Sequence, residues 1–155
     1  MTENLRVGIL GAGWAGEGHA LAFSQLPNVT VTALWSRTRK RADGLAAKLG
    51  QPGLQVYDHW QDLIEQADVD IISLATPPML RCDPLAMALE RDCHVLVEKP
   101  LSVGLGEGRA IVELAQQSGM LTAISFNWRY APAFQLGWRE VQAGQIGQVR
   151  DVRTE

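Results

Sequence analysis

Two cysteines in 155 residues, Cys82 and Cys93, are too few for a disulfide framework and suit a reducing compartment. Neither has His or Cys neighbours at metal-ligand spacing, so no zinc site, and no metal at all, is expected. A positive surplus is also missing. Lys and Arg total 14 against 17 Asp and Glu, a net charge of −3. That excludes nucleic-acid binding by bulk electrostatics and leaves only local basic clusters to hold phosphate. No apolar run is long enough to span a membrane. Residues 18–36 carry no formal charge, but Ser24, Gln25, Pro27 and Asn28 break them into helix, turn and strand. Met1-Thr2-Glu3-Asn4 lacks the basic and apolar regions of a signal peptide. No nucleophile–base arrangement for acyl transfer is present. These absences point to a soluble, cytoplasmic protein without membrane or nucleic-acid partners.

What is present is a globular composition, 46% hydrophobic and 20% charged, enough for one domain or one and a fraction. Short continuous apolar runs alternate with stretches of helical spacing. Strands are predicted over 5–10, 29–35, 54–57, 70–75, 94–97 and 121–126. In the second helix Ala42, Leu45, Ala46 and Leu49 share a face, with Gly50 as its stop. Asp58 and Gln61 have the spacing of a capping box, and Ser102 stands where it could cap the fifth helix. Strands separated by helices imply parallel crossovers, hence an α/β fold with a doubly wound parallel sheet.

After Phe126 the pattern changes. Pro132 can start a helix on which Phe134, Trp138 and Val141 share a face, and Gly144 can end it. Residues 149–154 alternate like a strand without a partner. The expected division is residues 1–126 as a nucleotide-binding domain, then 127–155 as a bridging helix and the first strand of a second α/β domain. The chain reads as if cut there. An unpaired strand and an apolar face near Trp138 also invite self-association, so a homo-oligomer is expected.

Gly11-Ala12-Gly13-Trp14-Ala15-Gly16 fits G-x-G-x-x-G between a strand and a helix. Such a loop serves a tight turn, backbone approach to a pyrophosphate and close helix–strand packing, the fingerprint of a Rossmann dinucleotide site. The helix N-terminus adds free N–H groups for the phosphates. Trp14 could flank the cofactor or pack on a second domain. The carboxylate that grips the ribose 2′-OH of NAD should stand about 20 residues on. Counting from Gly16 lands on Ser36, and Ser36-Arg37-Thr38-Arg39-Lys40-Arg41 contains no acid. Cations near a helix start oppose the macrodipole, a conflict that a 2′-phosphate would relieve. Ser36 and Arg37, with Arg41 behind them, therefore favour NADP, with NAD as the second choice.

Glu98-Lys99-Pro100 follows the strand His94-Val95-Leu96-Val97, at a carboxyl end where α/β sheets bind ligands. Lys99 could handle the proton of a substrate hydroxyl as hydride moves, or be a surface cation beside a carboxylate.

Together these residues resemble the glucose–fructose oxidoreductase/inositol dehydrogenase/MocA family. The match runs through Gly11-x-Gly13-x-x-Gly16-x-x-His19, Ala75-Thr76-Pro77, His94-Val95-x-x-Glu98-Lys99-Pro100-Leu101 and Phe126-Asn127-x-Arg129-Tyr130-x-Pro132. Gly144-x-Ile146-Gly147-x-Val149 continues it. The resemblance implies a nicotinamide-dependent oxidoreductase acting on a small polyol or carbonyl substrate such as a sugar, inositol or dihydrodiol. It makes Lys99 the catalytic lysine and puts Glu98 near the nicotinamide ribose. Ala75, Thr76 and Pro77 would border the cofactor, with Arg129 and Tyr130 near its nicotinamide end. His19 matches a family position, although simple packing on the first helix is the expected role.

Two departures stand out. The family's usual Asn after Thr-Pro, and His three residues further on, are here Pro78 and Arg81; the usual Gly-Lys before His-Val is Asp92-Cys93. The loop after the fourth strand is thus expected to differ in shape. In the family an Asp/His pair and the substrate wall come from a C-terminal domain, and no His follows His94 here. The 155 residues are expected to bind cofactor without turning over substrate. A non-catalytic dinucleotide-binding module, a redox sensor or partner-binding protein, is the alternative.

Overall fold

Val7 and Ile9 project to one face of the first strand, Gly8 and Leu10 to the other, and all four are buried. That two-sided burial makes β1 (Leu5–Leu10) a central strand. The computed structural model describes residues 4–153. Strands β2 (Val29–Trp35), β3 (Gln55–Tyr57), β4 (Ile71–Leu74), β5 (His94–Val97) and β6 (Thr122–Ile124) join β1 in one all-parallel sheet. Its order, β3-β2-β1-β4-β5-β6, is the Rossmann order, reversing direction between β1 and β4.

Helices α1 (Trp14–Ser24) and α2 (Arg39–Leu49) cover one face, closing a core of Val7, Ile9, Ala20, Val31, Leu34 and Leu45. Helices α3 (Trp60–Gln66), α4 (Cys82–Glu90) and α5 (Leu105–Ser118) cover the other, over Leu10, Leu63, Ile72, Leu74, Leu85 and Ile111. Gly8 permits this second layer to approach, because a Cβ there would meet Leu63 Cδ2 at 2.9 Å.

The described residues form two compact units, 4–125 and 126–153. The second holds a 3₁₀ turn (Asn127–Tyr130) and α6 (Pro132–Gln142), with no buried residue in either. Trp128 meets Phe134 edge to face, ring centroids 5.7 Å apart. Phe134, Trp138 and Val141 line one hollow on α6.

Several local expectations are corrected. Residues 149–153 form no strand, since no neighbour supplies the ladder that an extended segment needs, and Thr154 lies outside the described residues. Asp58 does not cap α3. Its carboxylate accepts from Arg39 Nη1 at 2.6 Å, and α3 starts after His59 without a side-chain cap. An ion-pair partner outcompetes the local N–H groups there. Ser102 likewise does not cap α5: its hydroxyl donates to the Gly104 carbonyl, and α5 begins at Leu105. Among the described residues no helix is long and apolar enough to cross a membrane, and no cluster of His, Cys, Asp and Glu is poised to hold a metal.

Candidate cofactor site

Because neighbouring strands end in register, the residues just beyond them form a row. Leu10 pairs with Trp35 and Leu74, Leu74 with Val97, and Val97 with Ile124. Backbone bonds extend the row: the amides of Gly11, Ala75, Glu98 and Ser125 donate to the carbonyls of Trp35, Leu10, Leu74 and Val97. Gly11, Ser36, Ala75 and Glu98 thus stand side by side at the sheet's carboxyl edge.

The three glycines of the first loop meet different surroundings. Gly11 has φ +110°, a conformation that favours glycine, and a Cβ on it would lie 2.7 Å from the Ala75 carbonyl oxygen. A Cβ on Gly16 would collide with the carbonyl oxygen of Gly11, so the start of α1 sits directly on the turn. At Gly13 a Cβ would meet nothing within 4 Å. Gly13 precedes α1 and no side chain caps the helix, which leaves the first-turn amides of Trp14, Ala15 and Gly16 without intrahelical acceptors. Open space over Gly13 beside free donors at a helix N-terminus fits a pyrophosphate. Trp14 is exposed.

Ser36 is half-buried directly after β2, while Arg37, Lys40 and Arg41 are exposed. Arg39 turns away, bonded to Asp43 at 2.9 Å and to Asp58, and these carboxylates hold its guanidinium above its usual pKa. The uncompensated cations near the start of α2 are therefore fewer than the sequence suggests. Arg41 shares a surface hollow with Gly13, Trp14, Glu17 and Lys48, and Lys48 is ion-paired with Glu17.

Beyond β5 the buried Glu98 carboxylate accepts the Lys99 amide at 3.0 Å through Oε2. The Lys99–Pro100 peptide is cis, and Lys99 is exposed. Glu98 Oε1 lies 3.2 Å from His19 Nε2, while His19 Nδ1 is 2.8 Å from the buried Ser73 hydroxyl. Ser125 Oγ is 3.4 Å from the same Nε2. His19 therefore does more than pack: it bonds α1 to the ends of β4 and β5. The period-3.6 placement that marks a helix face gave no hint of this, because Glu98 is 79 residues away.

Thr76 is buried, its hydroxyl donating to the Leu80 carbonyl at 2.7 Å; Pro77 is exposed beside it. Arg81, only 3% exposed, donates to the Thr76 carbonyl through Nε at 3.0 Å and Nη2 at 2.7 Å. Its Nη1 donates to the carbonyls of Glu98 and Pro100. Burial pulls its pKa below the ordinary value, opposed by the Glu98 charge, yet an arginine stays cationic. The departure at position 81 was legible in the sequence; its bonding was not. Arg129 stands in the 3₁₀ turn of the second unit.

Burial raises the pKa of both thiols, of Cys82 and of Cys93, so neither is poised as a nucleophile.

A profile of an oxidoreductase family with an NAD-binding Rossmann fold matches residues 5–126. The chain belongs to the Gfo/Idh/MocA family. Within that family, levoglucosan dehydrogenase of Pseudarthrobacter phenanthrenivorans is 26% identical over 157 residues, covering 97% of this chain and 40% of the relative. The NAD(+)-dependent scyllo-inositol 2-dehydrogenase of Bacillus subtilis is 27% identical, covering 96% of this chain and 43% of that protein. A structure of levoglucosan dehydrogenase with NADH and levoglucosan superposes with a TM-score of 0.86 at 25% identity, over 94% of this chain and 41% of that one. The chain thus spans less than half the length of these Gfo/Idh/MocA relatives and corresponds to their NAD-binding domain.

Proposed function

We propose that these residues form the cofactor-binding part of a cytosolic NAD(P)-dependent oxidoreductase acting on a sugar, inositol or similar polyol or ketone. The observation that carries this reading is the register of strand ends. The glycine loop after β1 and the Glu98-Lys99-Pro100 turn after β5 flank β4 at the point where the strand order reverses. The amides of Trp14, Ala15 and Gly16 would hold the pyrophosphate, with Gly11 and Gly13 giving backbone access. Ala75, Thr76, Pro77 and Glu98 would line the path towards the nicotinamide. When bound, the nicotinamide supplies hydride chemistry. Lys99 Nζ then gives or takes the proton at the substrate oxygen, being exposed and free of hydrogen-bond partners among the described residues. The dehydrogenase relatives support the substrate class, and the two free thiols support a reducing cytosol. The exposed face of Phe134 and Trp138 supports self-association.

NADP is the preferred cofactor in this reading. Ser36 occupies the position of the ribose-binding carboxylate, and Arg37 and Arg41 have no ion pair among the described residues while Arg39 has two. Fluorescence titration tests both levels. NADPH should bind at least about tenfold more tightly than NADH, the worth of one charge-assisted contact, and Ser36→Asp should reverse the order. Equal or stronger NADH binding by the unaltered chain removes the NADP preference; no binding of either removes the cofactor site.

A further inference from the structure

Arg81 is a buried cation whose four hydrogen bonds all end on backbone carbonyls, and no carboxylate pairs with it among the described residues. Two of those bonds hold Thr76, in the loop after β4. The other two hold Glu98 and Pro100, the residues on either side of Lys99. We propose that Arg81 is a positioning residue for Lys99. This rests on the reading of Lys99 as the proton-handling side chain.

A peptide unit is rigid, so fixing the carbonyls of residues 98 and 100 restricts the backbone on both sides of the intervening Cα. One Nη1 group accepts neither rotation nor separation of those two carbonyls without losing a bond to a charged donor, which ranks among the stronger hydrogen bonds. The Lys99 amide is held as well, by Glu98 Oε2 at 3.0 Å. Lys99 therefore has a pinned backbone and an exposed ammonium with no bond among the described residues. A pinned root directs the side chain, and a free tip leaves it available to a substrate. The rest of the guanidinium anchors this turn to the Thr76 carbonyl, so the loop after β4 serves as the fixed point. An arginine suits the task because its planar fork reaches two loops at once, which a lysine ammonium cannot.

The chain has three lysines, Lys40, Lys48 and Lys99, so labelling with [15N]lysine gives three assignable backbone amide signals. The 155-residue chain should show a Lys99 order parameter close to that of Lys48 in α2, about 0.85. In Arg81→Gln the Lys99 value should fall to that of a flexible loop, below about 0.6, while Lys40 and Lys48 stay unchanged. Binding of NADPH and NADH should persist, because the amides of Trp14, Ala15 and Gly16 that hold the pyrophosphate are untouched. An unaltered Lys99 in a folded Arg81→Gln protein overturns the proposal. Should that variant not fold, Arg81→Lys keeps the charge but reaches only one loop, and the same loss of Lys99 order is expected. Loss of fold in both variants also overturns it, since Arg81 would then hold the domain and not the turn. The parent reading fails by a separate sign: a Lys99 signal in the unaltered chain that does not move when NADPH or NADH is added.

Discussion

The loop after β1 and the turn after β5 lie on either side of β4, and they are held by different means. In the first, shape follows from missing side chains: Gly11 takes a positive φ against the Ala75 carbonyl, and Gly16 lets α1 rest on Gly11. In the second, shape is imposed by added side chains, Arg81 from 17 and 19 residues away and His19 from 79. A loop made by omission tolerates nothing extra. A turn made by distant bonds tolerates additions but not the loss of a partner.

The largest expected effect is Gly16→Val. Its side chain would run into the Gly11 carbonyl, which is backbone and cannot step aside. Urea denaturation should register a loss of about 3 kcal/mol or more, with cofactor binding lost as well. A variant of ordinary stability would mean that the two loops do not differ in this way.

Arg81→Gln comes next. It leaves the buried carbonyls of Thr76 and Glu98 and the part-buried one of Pro100 short of donors, and denaturation should show a loss of about 2–3 kcal/mol. A loss within about 0.5 kcal/mol, the range of ordinary surface changes, would mean that water replaces the guanidinium freely.

Gly13→Val sharpens the contrast inside the first loop. Its Cβ faces open space, so stability should stay within about 1 kcal/mol of the parent. Affinity for NADPH and NADH should nonetheless fall together, by about tenfold or more, as calorimetry would detect. Unchanged affinity in the folded variant would separate this loop from the cofactor.

The smallest effect is expected at the opposite end of the strands. Asp70 accepts from Arg6 Nε at 3.0 Å, Nη2 at 2.7 Å and the Arg6 amide at 2.7 Å, and Arg6 also pairs with Asp68. The Arg6 side-chain bonds, foremost, hold the Asp70 carboxyl below the usual carboxylate pKa. A depressed folded-state pKa stabilises above the unfolded value, near 3.9, and that contribution fades as pH falls through the folded value. Asp70→Asn should therefore lower the urea midpoint at about pH 7, with the difference shrinking towards about pH 3. Cofactor affinity should not change. A difference that grows in acid would reverse the sign of this linkage.

The same division explains what could be read from the chain. The strands over 5–10, 29–35 and 94–97 coincide with those observed, because apolar runs and glycine chemistry act between near neighbours. The parallel doubly wound sheet followed from their alternation with helices. Misreadings occurred where a polar side chain had a choice. Asp58 has cap spacing but a cation within reach, and Ser102 prefers a carbonyl to helix N–H groups. Residues 149–153 have strand alternation but no neighbour to pair with. His19 and Arg81 belong to motif positions in the sequence, yet their partners are brought together only by the stacking of strand ends. Periodicity carries no information about that stacking.

Arg81 also has a consequence for exchanging parts between relatives. Residues 75–81 and 98–101 form a lock and its catch: the guanidinium is carried on one segment and three carbonyls on both receive it. A loop borrowed from a protein with the family's usual histidine at this position would bring a shorter key to the same catch. The buried Glu98 carbonyl and the part-buried Pro100 carbonyl would then lose the donor they share. Grafts across this family would need to move both segments as one cassette, even though more than a dozen residues of helix and strand separate them in the chain.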